Sequence, residues 1–392
     1  MVSSFFQYLV SIVALGSLVP RVVDATACIA FDSNFNLYAF GFGGKDFQLG
    51  TQDAWSSSVT PKDITSNGRP PFDGKQTTCY LSQFFNAIYV LDGDESDSSA
   101  VHIFNAGAGS WSTQKVQPGG PNPGSLVAIL DHDTNTFYAV DNGTLSFMDL
   151  GQLVVANNTP VSWVLAKNTP YGAAYQPTMA LAQNHIFFIG TPNAQPATAE
   201  IFVIHFSFFQ STSQGFPNVN GGSPFPETHG QATSFFIANA VQENVAYIPD
   251  DGSATYIFNV EQNNTVTFAG PTDKSESTYA ASLTALVQLT QNGSISFLPF
   301  DPSNPVSGAS ASWSKIDVQG LPALTTTGSN GSTSGSNSTT SGTGSKPSNG
   351  TNPSSSSGSG SNTNSSNGDI AISLPISFTM FVAVLSMILT VF

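Results

Sequence analysis

Asp141-Asn142-Gly143-Thr144-Leu145-Ser146-Phe147 returns 150 residues later as Gln291-Asn292-Gly293-Ser294-Ile295-Ser296-Phe297, and that recurrence decides how the chain is read. An Asn-Gly pair between apolar runs marks a tight hairpin turn, so each copy announces two antiparallel strands. The offset divides into three periods of about 50, within the range of repeat architectures. The same period carries a four-residue apolar strand: Leu37-Tyr38-Ala39-Phe40, Ile88-Tyr89-Val90-Leu91, Phe137-Tyr138-Ala139-Val140, Ile186-Phe187-Phe188-Ile189 and Val245-Ala246-Tyr247-Ile248. With the second Asn-Gly hairpin these make six units. All four tryptophans keep the frame, Trp55, Trp111, Trp163 and Trp313 following positions 38, 89, 138 and 288 by 17, 22, 25 and 25 residues. Each unit is therefore expected to hold four strands. In unit two they are an inner strand Cys79–Gln83, a second Ala87–Leu91, a third Ala100–Asn105 and an outer strand opening with Ser110-Trp111-Ser112. Short runs of Phe, Val, Thr and Tyr between Gly, Asn, Asp and Pro, with no long helical periodicity, make the class all-β. A β-sandwich with accidental spacing is the alternative.

A four-strand unit of this length, with an aromatic pair in the second strand and a Trp in the fourth, resembles the kelch-type, galactose-oxidase-like β-propeller, over residues 28–318. The resemblance implies a six-bladed ring, with seven blades as the alternative. The double glycine that kelch repeats place after the second strand stands only at Gly43-Gly44; Asp92-Gly93, Asn142-Gly143 and Gly190 replace it elsewhere. Kelch propellers are mostly interaction modules with a few enzymes among them, so the fold is implied more firmly than any activity.

The ends read as secretion and anchoring signals. Phe5–Pro20 is apolar, short and followed by small residues at Val23-Asp24-Ala25 and Ala25-Thr26-Ala27, which predicts a signal peptide over residues 1–27. Residues 319–368 are expected to form a disordered, glycosylated stalk: from Thr325 to Gly368 only Lys346, Pro347 and Pro353 are not Ser, Thr, Asn or Gly, and such a chain has almost no apolar area to offset its ordering entropy. Residues 369–392 are apolar after Asp369 and carry no basic flank, which predicts a GPI-attachment signal with Asn367, or Ser366 or Asn364, as the attachment site. A transmembrane helix is the alternative. N-glycosylation sequons fall at Asn142, Asn157, Asn263, Asn292, Asn330, Asn337, Asn349 and Asn364. Together these features resemble fungal GPI-anchored cell-surface proteins, expected at the outer plasma membrane or cell wall.

The net charge of −15 makes nucleic acid an unsuitable partner. Extracellular protein or glycan ligands, and the membrane through a lipid anchor, are the expected partners, and no cofactor or metal is expected. Cys28 and Cys79, the two cysteines of the chain, each stand ten residues before a marker Tyr, at equivalent inner-strand positions of neighbouring units. Pairing with each other is the simpler use of both in a secreted chain. Propeller enzymes similar to galactose oxidase hold copper with His and Tyr and a Tyr–Cys cross-link, but His102, His132, His185, His205 and His229 show no ligand spacing. The turn Asp92-Gly93-Asp94-Glu95-Ser96-Asp97 alternates oxygens without the terminal bidentate Glu of a calcium loop, so it reads as a solvated acidic hairpin. A non-enzymatic binding or structural module is the first reading, and a carbohydrate-active or copper-type oxidative enzyme the alternative.

Recognition is expected on the face that carries the longer connections. These are Gly41–Asp53, Asp92–Ser99 and Gly190–Ala199 after second strands, and Pro61–Thr77, Lys167–Pro177 and Ser211–Gln231 after fourth strands. Asp46, Asp92, Asp94, Asp97, Asp250 and Asp251 would make that face acidic and suited to cationic or hydroxyl-rich partners. The opposite face has shorter links, such as Asp32–Asn36 and Ser82–Asn86.

Overall fold

The computed structural model describes residues 26–324; the signal-peptide, stalk and anchor readings lie outside the described residues, apart from the few at their inner borders. Second strands such as Leu37–Phe42 and Ala87–Leu91 are buried along their whole length. That explains the continuous apolar runs, because a strand covered on both faces has no polar side to alternate with. Successive side chains point to opposite faces, so each run feeds two separate cores. In blade one Leu37 and Ala39 pack with Val287 and Leu289 of blade six, whereas Tyr38 and Phe40 pack with Ile88 and Val90 of blade two. The alternation repeats around the molecule, and the six apolar clusters occupy the six seams between blades.

Six antiparallel sheets result, arranged as a six-bladed β-propeller. Their inner strands are Cys28–Phe31, Thr78–Ser82, Val127–Asp131, Thr178–Ala182, Gly230–Ser234 and Ser277–Ala281. Each inner strand is the end strand of its sheet and touches the inner strands on either side, closing a ring around a central axis. In blade two the expected boundaries fall within one residue of the observed strands, Thr78–Ser82, Ala87–Leu91, Val101–Asn105 and Ser110–Gln114. The ring closes between blades six and one without a shared strand. Val59 bridges Val318 in parallel, with hydrogen bonds from Val59 N to the Asp317 carbonyl and from Gln319 N to the Val59 carbonyl.

Three local features depart from the regular unit. Blade four has a broken outer edge, Phe208–Phe209 and Gln214–Gly215 pairing separately with Thr198–Val203. Trp111 lies in an outer strand, but Trp163 and Trp313 stand just before theirs and Trp55 sits in a 3-10 turn, Gln52–Ser56. Blade one has a third strand, Lys45–Gln48, inside the interval read as a long connection from Gly41 to Asp53. Its hairpin turn is only Gly43-Gly44, so that segment does not extend the face.

Candidate functional site

The connections from second to third strands, and from each fourth strand to the next blade, emerge on one face, which we call the mouth face. Cys28 and Cys79 lie near this end of their inner strands and form a disulfide, Cα atoms 5.8 Å apart. It ties blade one to blade two, as the equivalence of the two positions suggested. The same seam is held by polar bonds. Asp92, left-handed at φ 50°, accepts a 2.7 Å hydrogen bond from Gln76 N, and its carbonyl accepts one from Thr77 Oγ1. Gly74 is required beside it, because a Cβ there would fall 1.7 Å from the Asp92 carbonyl oxygen.

Two of the acidic residues expected on this face are structural. Asp46 is fully buried, holds Arg69 through two 3.0 Å hydrogen bonds to Nε and Nη2, and accepts from Gly41 N. Arg69 also lies over the Phe72 ring at 5.0 Å. Asp92 is buried too, and that burial raises its carboxyl above the ordinary range. Neither presents charge to a partner, since a carboxylate at the start of a third strand or at a hairpin bend turns inward when the backbone around it needs an acceptor. Asp94, Asp97, Asp250 and Asp251 do reach the surface. Asp94 caps the short turn Glu95–Asp97 by accepting from Ser96 N and is held below the usual carboxylate range by Ser96. Asp251 is lowered likewise by Ser253, while Asp250 accepts a 2.7 Å bond from His229 Nδ1.

Loop length does not separate the faces as the sequence suggested. The opposite face carries Leu49–Pro61, Leu150–Trp163 and Phe300–Trp313 between third and fourth strands, and residues 235–243 inside blade five. The sequons divide evenly: Asn142 and Asn292 are exposed on mouth-face hairpins, Asn157 and Asn263 on the opposite face. Asn330, Asn337, Asn349, Asn364, Ser366 and Asn367 lie outside the described residues.

Residues 235–243 form a feature the sequence reading missed. Phe236 N donates to the Ser282 carbonyl of blade six, and Gln183 N of blade four donates to the Gln242 carbonyl. Gln83 Nε2 of blade two donates to the Ile237 carbonyl at 3.1 Å. The Phe236 ring lies 6.1 Å from Phe35 of blade one and 5.4 Å from His132 of blade three. One loop of blade five thus touches every other blade, including blade two across the axis, and can do so only by crossing the channel. It is a plug.

Above the plug stands a chamber of about 1450 Å³. Its walls are the free edges of the six inner strands, with Thr78, Gln231, Thr233 and Thr278 among the side chains and Phe236 and Gln242 at the floor. The charged groups lining it, Lys75, Asp92, Asp141, Glu276 and the titratable His229, all belong to mouth-face connections or strand ends there. The chamber is therefore blind, uncharged within and charged at its rim.

The five histidines do not gather at one place, although His185 and His205 of blade four lie near enough to repel each other when charged. His102 lies in a third strand, its Nδ1 3.1 Å from Thr113 Oγ1, and His185 opens a second strand; burial lowers both below the ordinary imidazole value. His205 follows the third strand of blade four in a 3-10 turn. Among the described residues no three His, Cys, Asp or Glu side chains converge as a metal site.

No family model matches the sequence, and no curated protein matches it. Among solved structures the chain is similar to a nidogen/laminin complex at 10% identity and TM-score 0.35, covering 62% of this chain and 85% of that one. It is also similar to a catalytically inactive virginiamycin B lyase from Staphylococcus aureus with quinupristin, at 11% identity and TM-score 0.41 over 77% and 87% of the two chains. A third similarity is to YjhT, at 11% identity and TM-score 0.44 over 75% and 98%. Likenesses this distant indicate no specific function.

Proposed function

We propose that this protein is a kelch-like binding module of the cell surface, its propeller displayed on a glycosylated stalk with a GPI anchor, and that it engages cationic partners through the mouth face. The observation that carries this reading is the placement of exposed Asp97, Asp250 and Asp251 and half-buried Asp94 on connections of a six-bladed scaffold. Carboxylates so placed raise the local concentration of cations and speed encounter without requiring a pocket. The secretory signal, the Ser/Thr/Asn/Gly stalk and the apolar C-terminus support the localisation. The test is calorimetric titration of the head with a lysine-rich synthetic peptide at low and high salt. Binding is expected at low salt, weakened by salt and abolished when Asp94, Asp97, Asp250 and Asp251 are all changed to Lys. Binding that survives the four substitutions would sink the reading. Release of the full-length protein from intact cells by a phosphatidylinositol-specific phospholipase tests the anchor, and retention by the membrane would decide for a spanning helix.

The enzymatic alternative has one observation in its favour. The bond from His229 Nδ1 to Asp250 orients an imidazole at the chamber rim, an arrangement that suits a general base.

A further inference from the structure

We infer that the blind chamber is a second binding site, separate from the acidic face, and that it takes an uncharged, hydroxyl-rich ligand: a short neutral oligosaccharide entering from the mouth. The inference stands on the plug and on the distribution of charge, and is independent of any partner at the rim.

Size comes first. The inner strands run about 17 Å along the axis, and the 1450 Å³ is shared between the space they enclose and the connections at Gln117–Pro123 and Ser98-Ser99, which is room for a short sugar chain and too little for a folded domain. Polarity comes second. Each inner strand pairs on one side only, leaving its other edge of N–H and C=O groups toward the axis, and Thr78, Gln231, Thr233 and Thr278 add neutral donors and acceptors. A wholly apolar ligand would strip water from these groups and return no hydrogen bonds, at a cost of about 1–3 kcal/mol for each one orphaned. An ion placed deep in the chamber would lose its hydration with no counter-charge nearby, because the charged lining groups all stand at the rim.

A hydroxylated, uncharged molecule satisfies both constraints. Its hydroxyls can donate and accept along the strand edges, while its C–H faces can lie on the half-buried Phe236 ring and on Ala280. An extended peptide could also pair with a strand edge. The blind end disfavours it, since a peptide filling the chamber would press a charged terminus or side chain against Phe236 and the neutral amide of Gln242.

The experiment is calorimetry of the recombinant head against neutral di- to tetrasaccharides, with a uronic-acid oligosaccharide and a short uncapped peptide as comparators. Thr278 and Gln231 have exposed side chains on the inner strands, so Thr278→Arg and Gln231→Arg charge and fill the chamber without entering a seam core. We expect a neutral saccharide to bind, each substitution to weaken it about tenfold or more with the melting temperature unchanged, and the four rim Asp→Lys changes to leave it intact. If one Arg variant fails to fold, the other decides. Neutral binding indifferent to both substitutions, preference for the acidic sugar or the peptide, or no saccharide binding at all would overturn the inference. Loss of the lysine-rich peptide with retention of the saccharide would break the rim from the chamber, so the two readings fail separately.

Discussion

The two ends of the channel are closed to different degrees and held by different chemistry. At the mouth, Asp46 has Arg69 and Gly41 N, Asp92 has Gln76 N, and a disulfide spans the seam, although Ser66 Oγ, His102 Nε2 and Tyr171 Oη there lack a hydrogen-bond partner. At the floor the plug seats on groups whose bonding is incomplete. Gln83 Oε1, Gln242 Oε1 and both ring nitrogens of His132 are buried without a hydrogen bond of good geometry, although Asp133 Oδ1 stands 3.4 Å from His132 Nε2. His132 is instead sandwiched, stacked on Phe84 at 5.4 Å and edge-on to Phe236. The contrast lies in the kind of link: a disulfide and the buried Asp46–Arg69 ion pair stand at the mouth, whereas the plug is held by single hydrogen bonds and ring contacts.

Substitutions at the mouth should therefore cost far more than substitutions at the floor. The largest effect is expected from Cys28→Ala with Cys79→Ala. The disulfide closes a separation of 51 residues, which on the chain-entropy account contributes about 4 kcal/mol. Urea unfolding of the pair against the parent measures it, and a loss below about 1 kcal/mol would remove the disulfide from the contrast. Next, Arg69→Ala leaves Asp46 buried without its cation and should cost about 3 kcal/mol by the same measurement. Equal stability of Arg69→Ala and the parent would mean that Asp46 finds another partner.

The floor should show itself in acid. Burial holds His132 and His185 on this side, and His102 at the mouth end of its third strand, below the ordinary imidazole value, so the unfolded chain takes up protons first as pH falls below about 6.5. Their contribution is complete above that pH and is lost below it, toward the folded values. Around His132 the facing groups are Asp133 at 3.4 Å, Asp131, the Ala240 carbonyl and the Gln242 side chain. Melting temperature should fall between pH 7.5 and 5, and His132→Phe, which keeps the ring between Phe84 and Phe236, should reduce the fall. An identical pH profile for parent and variant would place the acid sensitivity elsewhere. The smallest effect is expected from Gln83→Leu. It removes one hydrogen bond to Ile237 and one orphaned acceptor together, for a net change below about 1 kcal/mol.

The blade plan could be read from residues because every seam core uses the same alternation, and Leu37-Tyr38-Ala39-Phe40 carries it in four letters. The hairpins that revealed the repeat are less alike than their sequences. In blade three Val140 pairs with Leu145 around Asn142-Gly143, both left-handed at φ 48° and 76°. In blade six Leu289 pairs with Ile295, and the turn widens to Gln291-Asn292-Gly293 with only Gly293 left-handed at φ 82°. Thr290 replaces Val140 there, and its hydroxyl donates to the Asn292 and Ser294 oxygens, favouring the longer loop. A one-residue difference of this kind is set by side-chain capping and not by the Asn-Gly pair.

In the sequence Asp46 and Asp92 look like surface charge, because composition does not show which acidic residue the backbone needs; both are buried. The plug left a trace in spacing: Ile186 and Val245 are 59 residues apart where earlier steps are 51 and 49. That excess could be placed in the connection Ser211–Gln231 as readily as in residues 235–243. Only the contacts from Phe35, Gln83, His132, Gln183 and Ser282 say where it goes.

The blind channel is tested most directly by proximity across the axis. Phe84 is half-exposed beside Gln83 and Ala238 is exposed beside Ile237, while the native cysteines are already paired. In the Phe84→Cys, Ala238→Cys double variant, a short bis-maleimide should link the two positions within one folded chain. A control pairing Phe206→Cys, between the third and fourth strands of blade four, with Ala238→Cys should stay unlinked. Efficient linking of the first pair alone is the predicted result; no link between blades two and five, with both thiols freely labelled, would mean that the loop does not cross the axis and the channel runs through.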